Sequence, residues 1–409
     1  MGIYSKEVHR KKDKNITYFA RTNFRNRNQL FGIRNDNGDR DFHVALFGKT
    51  NTGKTTTMET FIRTDMDRGA GMTIFDVHGD LIKSVFANVP EHRINDLVYL
   101  DIPNANNTIG YNPLRKVSYE KRGLVATSIL EIFERLNDSK SWGPKLSHIL
   151  LNCLLLLLDQ KEQTTLRDVL RLFREKEFRR RCIKQVVSDD VREFWEKEFP
   201  NYSPKFDLIP VYNKLQGFLS LPALRRVLVD NAQNNISLRE IQDHQKILLV
   251  NLSKGELGIA GTRLIGSLLL TSIMSAAFSR IDTPIEKRKK HFVYLDEAHN
   301  FANNLSLASM LEELRKMGLS LFLSLQYVNQ VDPQVRDAIF GNVGTIISFR
   351  VSHDSARFLH SELHKEHNNL EPGDYVLLPR FHIYLRLMID GTPSRVFSAV
   401  TLRYEDLPP

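Results

Sequence analysis

Short apolar runs punctuate the chain at His43–Phe47, Met72–Phe75, Leu97–Leu100, Ile247–Leu252, Phe292–Leu295, Leu319–Leu325 and Val343–Phe349. Each is rich in Val, Ile, Leu and Phe, as suits parallel strands covered on both faces. Helix-compatible stretches separate them, so the pattern predicts a doubly wound α/β sheet. The rhythm lapses between about 115 and 240. There the sequence turns to Leu-rich, charge-rich helical periodicity, punctuated by Pro144, Pro200, Pro204, Pro210 and Pro222. We read residues 115–240 as an all-α domain inserted between two parts of the core, 42–114 and 241–409. A polar arm, residues 1–41, precedes the core and ends in the turn signal Asn35-Asp36-Asn37-Gly38-Asp39. Beyond Pro372, Tyr375–Leu378 and Ile383–Ile389 predict a late β-hairpin or edge strands.

The first run leads into Gly48-Lys49-Thr50-Asn51-Thr52-Gly53-Lys54-Thr55, followed by a helix-compatible stretch from Thr56 to Asp67. This fits G-x-x-x-x-G-K-[ST] in the strand–loop–helix context the motif needs. Gly48 and Gly53 let the backbone curl so that its N–H groups, with the helix N-terminus, form an anion site. Lys54 is expected on the β/γ-phosphates of ATP, Thr55 on Mg²⁺, and Thr56 beside them.

His291 to Leu295 is an apolar strand ending in Asp296-Glu297. Asp296 suits a Mg²⁺ ligand acting through the metal's water shell, and Glu297 suits polarising the attacking water. Leu319–Leu325 ends at Gln326, which would lie at the same sheet edge and could sense the γ-phosphate. Asp76-Val77-His78-Gly79-Asp80 follows the second strand. Its acids are either helix caps or part of the site. A positive charge opposite the γ-phosphate could come from Arg315, Arg336 or Arg350, from a neighbouring subunit if it acts as an arginine finger. No Ser-His-Asp pattern, zinc spacing or separate nuclease carboxylate cluster competes with this reading.

Across 409 residues, 42% hydrophobic and 26% charged positions are ordinary for a globular protein with a sizeable core. The net charge of +9 changes the picture more. Residues 1–41 hold ten Lys/Arg against five Asp/Glu, and residues 167–184 hold eight against three, including Arg179-Arg180-Arg181. Such a balance favours a polyanionic partner, DNA above all. Cys153 and Cys182 lack metal spacing and read as buried thiols of a reducing compartment. No signal peptide is evident, and the longest apolar runs, Ile149–Leu158 and Leu264–Phe278, fall short of the ~20 residues of a membrane span. The expected location is cytoplasmic, or peripheral to the inner face of the cell membrane.

Together the motifs resemble the VirD4/TraD-type coupling proteins of conjugation and type IV secretion, within the HerA–FtsK superfamily of DNA-pumping ATPases. The likeness rests on GKTNTGKT (48–55), DVHGD (76–80), WGPKLSHILLNCLLLLLD (142–159), YLDEAHNFA (294–302), LRKMGLSLFLSLQ (314–326) and VRDAIFGNVGTIISFRVSHDSARFL (335–359). It spans about residue 20 to the end. The resemblance implies a RecA-like doubly wound P-loop NTPase core with an inserted all-α domain linked to substrate recognition. It implies ATP hydrolysis, a hexameric ring around DNA, and relaxosome or secretion-channel proteins as partners. It also implies Glu297 and Gln326 as catalytic residues and Arg315 as the arginine acting in trans. Typical members begin with transmembrane helices and this sequence shows none, so a soluble form or docking onto a membrane partner is expected. Ala298 stands where relatives often have Phe, which implies a local packing change. The segment Asn251–Arg263, with Ser253, Lys254 and Gly255, is a candidate pore loop. An ATP-gated recruitment platform that does not move DNA is the alternative, and a protein-remodelling ATPase a weaker third reading.

Overall fold

Each of the seven short apolar runs between residues 43 and 349 becomes a strand, and sequences outside those runs add more. The computed structural model describes residues 13–23, 28–137, 141–301, 305–363 and 370–407. The strands are β1 (Ile16–Thr22), β2 (Leu30–Arg34), β3 (Val44–Phe47), β4 (Gly71–Asp76), β5 (Leu97–Asp101), β6 (Ile247–Asn251), β7 (His291–Leu295), β8 (Leu319–Leu325), β9 (Thr345–Ser348), β10 (His382–Arg386), β11 (Met388–Ile389), β12 (Thr392–Pro393) and β13 (Phe397–Thr401). An 11-stranded sheet runs in the order β2-β1-β13-β10-β9-β3-β8-β7-β4-β6-β5. From β9 to β5 all pairings are parallel. β10, β13, β1 and β2 extend the sheet with antiparallel pairings.

The uniform hydrophobicity of the parallel strands follows from burial on both faces. In β3, Val44 and Leu46 join one cluster with Met58, Phe61 and Ile62 of the helix Lys54–Asp67. Ala45 and Phe47 join the other, where Phe47 stacks on Phe340 of the helix Pro333–Asn342 at 5.6 Å. No position in such a strand faces water, so none needs to be polar.

Between β5 and β6 the described residues form helices and no strand, including Tyr119–Leu136, Pro144–Leu158, Leu166–Arg174, Lys176–Gln185 and Ile209–Leu219. A β-bridge between Gly110 and Asn235 closes the base of this segment. Tyr111 Oη donates to Leu268 O at 2.7 Å, fastening it to the helix Lys254–Phe278 of the core. That helix continues to Asp282 and is long and apolar enough to cross a membrane, but 67% of its most apolar stretch is buried within the fold. Cys153 and Cys182 are both buried and unpaired.

Two expectations change. Tyr375–Leu378 is not a strand. Tyr375 belongs to a short helix, Pro372–Val376, nucleated by proline at its start and by the Glu371/Asp374 capping box. The partner of β10 is instead β13. The polar arm also contributes β1 and β2 to the sheet, and its Arg40 is fully buried. Residues 1–12 and 24–27 of that arm, and Ala302 of the acidic-pair motif, lie outside the described residues.

Candidate nucleotide-binding site

β3 feeds directly into the glycine loop. Gly48 N–H donates to Leu325 O at 3.1 Å and Lys49 N–H to Arg350 O at 2.8 Å, which ties the loop to the chain at the ends of β8 and β9. A Cβ on Gly48 would stand 2.8 Å from Phe349 Cβ. Gly53 has φ 121°, and a Cβ there would stand 2.7 Å from the Phe381 ring, so only glycine fits either position. Asn51 takes φ 61°, which Asn tolerates better than most residues. Thr52 Oγ1 braces the loop by donating to Lys49 O at 2.8 Å.

Thr57 N–H donates to Gly53 O and opens the helix Lys54–Asp67. The N–H groups of Lys54, Thr55 and Thr56 therefore have no acceptor inside the helix. They adjoin a cavity of about 430 Å³ lined on this side by Thr50, Asn51, Gly53, Lys54, Thr55 and Thr56. Lys54 Nζ donates to Gly48 O at 2.5 Å and Lys49 O at 3.1 Å, within the curl of the loop. Burial pushes its pKa down, against the pull of Glu297 and Asp296.

Asp296 and Glu297, at the end of β7, form the facing wall. Asp296 is buried, and its pKa is pushed up to about 6, first by burial and then by the negative charges of Asp76 and Glu297. Burial also acts to raise Glu297, but contact with His299 and the positive charge of Lys54 outweigh it and hold the carboxyl below its ordinary value. His299 Nδ1 lies 3.2 Å from Glu297 Oε2. Glu297 has φ 48°, an unusual backbone for a glutamate at the turn into the following helical segment. β8 lies between β3 and β7, so Gln326 falls between loop and acids, where Nε2 donates to Thr50 Oγ1 at 2.8 Å.

Thr55 and Asp296 offer oxygen donors on facing walls of the cavity, with the Glu297 carboxylate beside them, which fits a hard divalent cation. Among the described residues no group of three His, Cys, Asp or Glu could hold a metal. That suits Mg²⁺, which binds mainly through substrate phosphates and water rather than an all-protein cage.

Among the other sequence candidates, the three arginines and Asp76 do not line the cavity, although Asp76 lies close enough to Asp296 to act on its charge. Arg315 is exposed at the opposite end of β8, with its guanidinium 4.2 Å from the Phe42 ring. Arg336 stacks on Phe358 at 5.0 Å and pairs with Asp337. Arg350 meets the loop through its carbonyl. The carboxylate of Asp76 accepts the N–H groups of His78 and Ile82, which is a cap on the helix Asp80–Ala87. The supposed pore loop is largely the start of the helix Lys254–Phe278, interrupted at Gly258. Its Lys254 lines the same cavity as the glycine loop, as do His78, His299 and Arg380. Lys254 follows β6, whose end lies at the same sheet edge, so topology could have flagged it. Arg380 depends on the C-terminal chain folding back over the loop, and no local pattern announces that.

Central glycine loop, intermediate Gln strand and acidic strand together define the P-loop NTPase class on a RecA-like core. Residues 30–364 match the family described as the type IV secretion-system coupling protein DNA-binding domain, and the chain belongs to that family. Among solved structures it resembles the plasmid coupling protein TrwB bound to a non-hydrolysable ATP analogue. Identity there is 14%, covering 96% of this chain and 90% of that one, with a TM-score of 0.64. The complex of TrwB with ADP and Mg²⁺ is 16% identical over 91% and 87% of the two chains, TM-score 0.63. VirB4 of Thermoanaerobacter pseudethanolicus is 13% identical over 97% and 98%, TM-score 0.63. These are likenesses of fold. No curated protein matches the sequence.

Proposed function

We propose that this chain is a Mg²⁺-dependent ATPase that binds DNA and drives it through a ring of identical subunits, in the manner of a conjugative coupling protein. One observation carries the reading. Lys54, Thr55, Asp296, Glu297 and Gln326 converge on one cavity from three neighbouring strands, while Arg315 stands at the far end of β8. A strand of 7 residues separates Arg315 from Gln326, roughly 20 Å at ordinary strand rise. An arginine so placed can serve a neighbour's nucleotide but not its own.

In this reading the loop N–H groups and Lys54 hold the triphosphate, and Thr55 and Asp296 hold Mg²⁺. The bound ion offsets phosphate charge. Glu297 orients and polarises water, and Gln326 reports the γ-phosphate to the loop through Thr50. Arg315 of an adjacent subunit completes the site. The family match and the net charge of +9 support DNA as the partner.

A second reading, the recruitment platform, is favoured by a groove of about 270 Å³ in the helical segment. Arg167, Arg171, Arg174 and Arg225 line it with Tyr212. One assay separates the two: ATP hydrolysis with and without single- and double-stranded DNA at low and moderate salt. The motor predicts strong stimulation that fades with salt, because grip on phosphates releases counterions, and its loss in Glu297→Gln, which should still bind ATP. Robust hydrolysis indifferent to DNA would favour the platform.

A further inference from the structure

The segment that crosses the glycine loop carries a strained residue. Phe381 has φ 66°, in the left-handed region that a bulky side chain rarely adopts. The fold holds it there from both sides. Its N–H donates to Thr52 O at 2.9 Å, inside the loop. Its carbonyl accepts Thr401 N–H at 2.9 Å and Thr401 Oγ1 at 3.2 Å, on β13. Its ring occupies the space that a side chain at Gly53 would need. Strain so heavily overdetermined is a reason to look for what it positions.

It positions Arg380. The guanidinium stacks over the Phe381 ring at 4.7 Å, and the side chain lines the nucleotide cavity with Lys54, Thr55 and Thr56. Among the described residues no carboxylate forms an ion pair with it. The stack fixes one face of the guanidinium and leaves its N–H edges available, the geometry in which arginine binds phosphate best.

We propose that Arg380 is a nucleotide-binding residue, delivered by the C-terminal β-segment of its own chain, that pairs with the phosphates of a nucleoside triphosphate held in the glycine loop. The inference rests on the nucleotide-site reading above. It assigns the site a cation in cis, distinct from Arg315 in trans. It also gives β10 and β13 a purpose beyond widening the sheet, because they anchor the strained turn.

The test uses the full chain with Mg²⁺ and a fluorescent ATP analogue, with Arg380→Ala, Arg380→Lys and Lys54→Ala compared to wild type. Arg380→Ala should weaken nucleotide binding about tenfold, the worth of one charge-assisted contact, and raise KM to match. Its kcat at saturating ATP should stay within about twofold of wild type. Arg380→Lys should recover part of the affinity. Because the effect is in cis, mixing Arg380→Ala with wild type at ATP well below the mutant KM should lower activity in proportion to the mutant fraction. Unchanged Kd and KM, or a loss confined to kcat, would overturn the assignment. So would dominance of the mutant on mixing. Arg380 is exposed, so its removal should leave the thermal unfolding curve in place, which separates lost binding from lost fold. If Lys54→Ala also binds normally, the nucleotide site itself is misassigned. If Lys54→Ala fails and Arg380→Ala does not, only the role of Arg380 falls.

Discussion

The helix Lys54–Asp67 has a buried charge cluster near each end, and they are built on opposite rules. Near its C-terminus, Asp65 is fully buried but answered on every side. Arg40 Nη2 lies at 3.4 Å, Arg68 Nη1 at 3.3 Å, and the Tyr294 hydroxyl donates to the same carboxylate. Arg40, itself fully buried, adds cation–π contacts to Phe292 at 4.6 Å and Phe61 at 5.0 Å. At the N-terminus, Asp296, Glu297 and Asp76 are near neighbours, with Lys54 committed to loop carbonyls. In the first cluster one carboxylate meets two guanidiniums and a hydroxyl, which ties the elements of the fold together even though Arg40 Nε and Nη1 find no acceptor. The second leaves like charges crowded where a cation and a triphosphate are proposed to bind. The same strand, β7, supplies Tyr294 to one and leads to Asp296 in the other, so burial alone does not separate structural from chemical charge. Balance does.

Breaking the balanced cluster should have the largest effect. Arg40→Leu leaves Asp65 buried with one cation fewer and should cost about 3–5 kcal/mol of stability, measured by chemical denaturation. A loss below about 1 kcal/mol would mean that Arg68 and Tyr294 suffice to compensate Asp65, and that the balance is redundant.

The frustrated cluster should respond with the opposite sign. With a folded pKa of about 6, above the ordinary carboxylate value, Asp296 holds a proton in the folded state that the unfolded chain has already released. Stability therefore falls as pH rises through this window, and the full penalty applies above it. Asp296→Asn should then stabilise the nucleotide-free protein at neutral pH by up to about 3 kcal/mol. The gain should vanish near pH 4, and Mg²⁺-dependent hydrolysis should be lost. A variant that is less stable than wild type at pH 7 would contradict the claim that this carboxylate is held against its preference.

Much of this was legible in sequence, for a physical reason. Parallel strands buried on both faces are apolar nearly throughout, so β3, β4 and β6 to β9 announce themselves, and a loop curled as tightly as this one must have glycine where Gly48 and Gly53 stand. The antiparallel strands were harder. β1 and β2 are only partly buried, with β1 mixing buried and half-buried positions and β2 burying Ile33 alone, and their Lys- and Arg-rich surroundings look like a solvated arm. Tyr375 sits in an apolar run too short to tell strand from helix, and the capping box decided it. Strand order was illegible. Nothing local says that β8 inserts between β3 and β7, yet that insertion brings Gln326 beside Thr50 and carries Arg315 away from the cavity. Arg380 was invisible because a contact between residues 52 and 381 has no periodicity.

The finest test of the comparison lies between Glu297 and His299, where a local partner offsets part of the crowding. Burial alone would raise the Glu297 pKa, and the His299 contact is the largest single influence against it. Proposed as the group that polarises water, Glu297 must be ionised to act. His299→Ala removes the offset, so the Glu297 pKa should rise and the acid limb of the kcat–pH profile should move to higher pH. Well above that limb Glu297 is ionised in either protein, and the rate should change little. Nucleotide affinity should hold, since His299 is not expected on the phosphates. An acid limb that stays in place would mean that Lys54 and His78 suffice to keep Glu297 charged. A uniform loss at every pH would instead make His299 a brace for the unusual backbone of Glu297 rather than a tuner of its charge.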